Sequence, residues 1–84
     1  MPIVISAPSD IAVGAIYEDA FYHPCLCIGN DGETVWGISL VDGTYPRSED
    51  LQRSGLRTLS PEEAWIWRTK GPQDVELESK YRWW

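Results

Sequence analysis

His23, Cys25 and Cys27 alternate along His23-Pro24-Cys25-Leu26-Cys27. On an extended strand, alternate side chains project to one face. Three such donors could begin a tetrahedral metal site, with a carboxylate or water completing it. The chain has only one His and two Cys, so every further protein ligand would have to be Asp or Glu. The spacing is not that of a zinc finger either. The simpler reading packs both thiols in a core, where free Cys is commonly found. A disulfide between them is disfavoured, because strand residues two apart have parallel side chains with bases about 6.6 Å apart. Thiol catalysis with His23 as base needs an approach of about 2.6–3.2 Å, roughly half of what a flat strand offers. No cofactor and no metal are expected, and a metal- or thiol-dependent site at His23, Cys25 and Cys27 stands as the alternative function.

The carboxylates have plainer duties. Glu62 and Glu63 open a helix, while Glu76 and Glu78 decorate a solvent-facing edge. Glu18-Asp19 and Glu49-Asp50 have no evident structural role, but adjacent acids on an extended chain point apart and do not act together on one atom. No glycine-rich phosphate loop, nucleophile elbow or paired-histidine motif occurs. The chain does not read as an enzyme.

Aromatic residues are the stronger signal. Five Trp, four Tyr and one Phe exceed what one small core holds, leaving about two to four rings at the surface. Exposed rings beside acids can grip a proline-rich or basic peptide, or cage a cation. Tyr17, Glu18, Asp19, Phe21 and Tyr22 form the first candidate stretch, and Asp42, Tyr45, Glu49 and Asp50 the second. Residues 1–46 carry six acids and no Lys or Arg, whereas from Arg47 onward seven acids face seven bases. The whole net charge of −6 therefore arises in the first half. Direct nucleic-acid binding is disfavoured, since it depends on Lys and Arg neutralising phosphates. A basic protein or peptide is the expected partner, so the chain reads as a non-enzymatic protein-binding module, of which an inhibitor, an antitoxin-like protein or a mimic of nucleic-acid charge are versions. Trp83-Trp84 at the end of the chain raises the alternative of a subunit in a larger assembly.

The elements that position these residues read as short strands around one helix. Ile3-Val4-Ile5 and residues 13–17 are extended candidates. Tyr22 to Ile28 is apolar on both faces, as in a strand covered on both sides. Gly29-Asn30-Asp31-Gly32 supplies residues that tolerate positive φ in a tight turn, and Thr34 to Val41 returns as a strand. On that return strand Trp36, Ile38 and Leu40 share a face, and this larger set is expected to point inward. Asp42-Gly43 marks another turn. Residues 44–55 lack a period, and irregular stretches of that length often carry function. Residues 55–59 form a short strand candidate. Ser60, Pro61 and Glu63 make a capping box with Pro at the first helical position, while Arg68, Lys70 and Gly71-Pro72 close a helix over 61–70. So short a helix is marginal alone, so Ala64 and two of Trp65, Ile66 and Trp67 are expected to pack on the sheet. In the tail, Val75, Leu77, Ser79, Tyr81 and Trp83 alternate with Glu76, Glu78, Lys80, Arg82 and Trp84, predicting a final strand.

Gly37-Ile38-Ser39-Leu40-Val41-Asp42-Gly43, Pro46-Arg47-Ser48 and Leu59-Ser60-Pro61-Glu62-Glu63-Ala64 resemble a group of small uncharacterised bacterial proteins with SH3-like barrels, over roughly residues 14–72. The resemblance implies an architecture and no activity. The expected fold is a mainly β, small antiparallel SH3-like barrel of five to six short strands with one helix near 61–70. Eighty-four residues fit a single domain. Without a leader-like start or an apolar run of about 20 residues, a cytoplasmic location is expected.

Overall fold

The computed structural model describes all 84 residues. Its six strands are β1 (Ile3–Val4), β2 (Ile16–Glu18), β3 (Pro24–Asn30), β4 (Thr34–Ser39), β5 (Glu49–Asp50) and β6 (Arg57–Leu59). They form one antiparallel sheet in the order β1-β6-β2-β3-β4-β5. The turn chemistry accounts for the connections. Gly14, Gly32, Gly43 and Gly55 all take positive φ, which costs glycine little. β3 outruns its expected end by two residues and absorbs the extra length in a bulge between Cys27 and Gly29. The irregular 44–55 stretch holds the short edge strand β5.

The sheet is open, and β1 and β5 are its edges. Each edge strand is only two residues long, and no ladder joins the two edges. A closed barrel therefore does not form. The single helix, α1 (Pro61–Lys70), matches its expected span. Ser60 Oγ accepts from Glu63 N at 3.1 Å, and Glu63 Oε1 accepts from Ser60 N at 2.8 Å. No helix is long and apolar enough to cross a membrane.

The inward face of β4 reverses the expectation. Val35, Gly37 and Ser39 are buried, while Trp36, Ile38 and Leu40 lie half-exposed on the other face. Tyr17 explains the reversal. Its side chain is fully buried among Ile11, Cys25, Cys27, Val35, Leu51 and Leu56. A Cβ at Gly37 would run into the Leu26 carbonyl and come within 3.1 Å of the Tyr17 ring. One large ring from β2 thus fills the volume, and β3 and β4 must offer small side chains. Interiors this dense leave no room for both.

On the opposite face of the sheet, Glu18 is 2% exposed. Arg57 Nε and Nη2 donate to its two oxygens at 2.6 and 2.8 Å, and Trp67 Nε1 donates to Oε2 at 2.7 Å. Arg57 also pairs with Asp74, beyond α1. One carboxylate thereby joins β2, β6 and α1, and Arg57 extends the network into the tail. Only Ala64 and Trp67 of α1 are buried, three residues apart on one stripe. Trp65 and Ile66 remain exposed, so one aromatic of the helix packs instead of the expected pair.

The tail is not a strand. It coils at Ser79–Tyr81 into a 3-10 turn, with Arg82 Nε donating to the Leu77 carbonyl at 2.9 Å. Val75, Leu77 and Trp83 keep the alternation by being half-buried, but the turn interrupts its phase. Trp83 Nε1 donates to the Trp67 carbonyl at 3.0 Å. The Trp84 ring occupies the space that a Cβ on Gly71 would need. Side-chain anchoring on the end of α1 replaces ladder bonds.

Arg57→Ala leaves Glu18 buried beside no cation, and the expected loss of stability is about 3–5 kcal/mol. Trp67→Phe removes one N–H from the same carboxylate and should cost about 1–3 kcal/mol. Urea unfolding of both variants checks the order. Equal losses would mean that the guanidinium is not what holds Glu18.

Candidate functional site

The turn from Asp19 to His23 is built around one side chain. Asp19 Oδ1 accepts from the amides of Phe21 and His23, both at 2.9 Å, while Tyr22 N donates to the Asp19 carbonyl at 3.1 Å. Tyr22 adopts φ 66, an uncommon conformation for a bulky residue. This turn carries Phe21 out into solvent.

Arg47 fastens the turn to the second candidate stretch. Its Nη1 lies 3.0 Å from Asp19 Oδ2 and its Nη2 lies 3.3 Å from Asp42 Oδ2. The Tyr17 hydroxyl donates to the Arg47 carbonyl, and Ala20 N donates to Glu49 Oε2 at 3.0 Å. The fold therefore brings residues 17–22 and 42–50 together.

It does not expose all of them. Tyr17, Glu18 and Asp19 are interior, at 0%, 2% and 4% exposure, and cannot meet a partner. Buried carboxylates are tolerated only when paired and hydrogen-bonded, and Arg57 and Arg47 meet that requirement. The adjacent acids do diverge, one pairing with each arginine. Phe21 and Tyr45 are more than half exposed, Asp42 and Asp50 are exposed, and Tyr22 and Glu49 are half-buried.

Glu49 continues into an open cleft of about 430 Å³ lined by Glu33, Thr34, Ser48, Glu49, Asp50 and Gln52, none of them apolar. Glu33 and Tyr81 were not foreseen as members of this region. Glu33 enters through the hairpin turn that brings it beside β5. Tyr81 packs its ring 5.9 Å from Phe21, a contact across sixty residues that no local pattern encodes. Five rings are exposed in all, namely Phe21, Tyr45, Trp65, Tyr81 and Trp84.

Burial raises the Asp42 pKa, but hydrogen bonds from Thr44 and Ser39 and the charge of Arg47 outweigh it and hold the group at about 2. The acid is thus ionised throughout the neutral range. His23 moves down from its ordinary value, first through burial and then through Arg47, against the opposing pull of Asp19 and Asp42. Its Nδ1 lies 3.0 Å from Ser39 Oγ, and its ring stands edge-on to Trp83 at 4.5 Å.

The two thiols are free and buried. Cys25 Sγ donates to the His23 carbonyl at 3.3 Å and Cys27 Sγ to the Gly29 carbonyl at 3.5 Å. Burial pushes both thiols up, away from the thiolate. No group of three or more His, Cys, Asp or Glu side chains is gathered to hold a metal ion.

As the chain has one histidine, its proton resonances report His23 alone. It should titrate below about 6.5, and stability should fall as pH drops through 6.5 toward the folded-state pKa, because the unfolded chain then binds the proton more readily. A midpoint at or above 6.5 would contradict the desolvated ring. Ellman's reagent should modify the native thiols no faster than the chain opens, and rapid labelling would show that Cys25 and Cys27 are accessible. No protein-family model, curated protein or solved structure matches this chain.

Proposed function

We propose that this chain is a non-enzymatic protein-binding module whose partner is a basic protein or peptide. The observation that carries the reading is the continuity of exposed rings with unneutralised acids. Phe21 stands on a turn bonded to Glu49, and Glu49 shares its cleft with Glu33 and Asp50. Glu33 and Asp50 take part in no ion pair. A Lys or Arg head fits a polar cleft of this kind, and the exposed rings can cover its aliphatic stem or meet its charge face-on.

The acids buried beneath the surface serve the same end. Arg47 and Arg57 spend their charge on Asp19 and Glu18, so Arg53, which pairs with Glu49 at 2.9 Å, is the base that offsets the cleft, and Glu33 and Asp50 keep their charge. A cytoplasmic inhibitor, an antitoxin-like protein or a mimic of nucleic-acid charge would use such a surface in the same way. The four-strand meander β2–β5, with β6 returning to pair with β2, supports an SH3-like reading of the sheet.

Fluorescence anisotropy with a labelled peptide rich in Arg and Pro tests the proposal. Affinity should fall about tenfold or more between roughly 50 and 500 mM salt. Phe21→Ala and Glu33→Lys should each weaken it several-fold, whereas Glu76→Lys in the tail should not. Binding indifferent to salt and to both variants would overturn the assignment.

A further inference from the structure

The sheet face that turns away from Tyr17 is apolar and only partly covered. By register, Ile16, Leu26 and Ile38 form one row across β2, β3 and β4. All three are half-buried, and Ile28 beside them is 47% exposed. Trp36 lies over Gly29, where a Cβ would collide with its ring, and this keeps the strip low. α1 occupies the other end of the same face. Its Trp65 is 63% exposed, and a groove of about 260 Å³ runs between it, Ile16 and Leu40. The face is therefore a helix ridge at one end of an apolar strip of sheet.

Its two ends carry opposite charge. At the ridge, Arg68 donates from Nε to the Leu40 carbonyl and holds its guanidinium 5.6 Å from the Trp65 ring. Its remaining donors have no protein partner. At the far end of the sheet strip, away from that groove, Asp50 is exposed and pairs with Thr34 by register, on the same face as Trp36 and Ile38. Leu40 and Thr34 lie six residues apart along one extended segment, about 20 Å.

We propose that this face is where a second copy of the chain docks. In an isologous pair, each surface meets its own twin in reverse. A twofold arrangement about the middle of the strip sets the helix ridge of each copy against the end of the other's sheet at Thr34 and Trp36, and the same rotation brings Arg68 of each to Asp50 of the other. A surface with one charge sign at both ends would repel itself in that geometry, and this one does not. The net charge of −6 opposes association, so apolar contact must drive it and the two ion pairs fix its register. This docking face shares Asp50 with the acidic cleft but not the ring-bearing turn at Phe21, and the inference does not rest on the basic-partner reading.

Sedimentation velocity from about 10 μM to about 1 mM is the first test, with a shift from monomer to dimer expected. Ile28→Lys with Trp65→Ser should abolish the shift, while circular dichroism confirms that the variant is folded. Arg68→Glu and Asp50→Arg should each weaken the dimer at least several-fold, and the two together should restore it. A wild-type chain that stays monomeric over the whole range overturns the proposal. So does a dimer that survives the Ile28 and Trp65 changes, or one that the paired charge exchange fails to rescue.

Discussion

Glu18 is a carboxylate removed from water in a protein too small to hide an unpaired charge. Placing a charge inside a protein costs several kcal/mol unless the geometry of its partners is excellent. Here the partners are a guanidinium fork from β6 and an indole N–H from α1. Each donor can reach its oxygen only if helix and sheet are already in place. The pair therefore acts less as a source of net stability than as a demand that one arrangement be met. An apolar residue at that position would pack in several ways.

The core imposes the second constraint. With one full-length tyrosine at its centre, the inner faces of β3 and β4 reduce to Cys25, Cys27, Val35, Gly37 and Ser39. The bulky residues of those strands then have only the outer face left. That displacement is why Trp36, Ile38 and Leu26 lie half-open. Surface apolarity here follows from how the interior is filled.

Features encoded by neighbouring residues were legible in the sequence. The capping box at Ser60 and the stop at Gly71 place α1 correctly, because a cap depends on residues three or four apart. Positive-φ turns at Gly32 and Gly43 follow from the same locality. Legibility failed where tertiary contact decided. The face of β4 depends on Tyr17, twenty residues away. The tail has the alternation of a strand, yet Trp83 and Trp84 find better partners on α1 and Gly71 than a sheet edge offers. Of the candidate surface, Phe21, Asp42, Tyr45 and Asp50 lie exposed, whereas Tyr17, Glu18 and Asp19 do not. A sequence shows that acids are numerous but not which of them an arginine forty residues on will claim.

The lopsided charge of the sequence is redistributed in the folded chain. The net charge of −6 arises within residues 1–46, yet folding sends Arg47 and Arg57 back onto Asp19, Asp42 and Glu18. Neutralisation is thus spent inside, at the loop base and, through Arg53, on Glu49, and Glu33 and Asp50 beside it are left without an ion pair. On the two proposed interactions together, Asp50 serves both the cleft and the self-docking face. A group used by two ligands couples them, and the coupling is reciprocal. Whatever fills the cleft with positive charge weakens the hold of Asp50 on Arg68 of a second copy, and pairing of copies weakens the cleft by the same factor. Self-association and capture of a basic partner would then oppose each other through one exposed carboxylate.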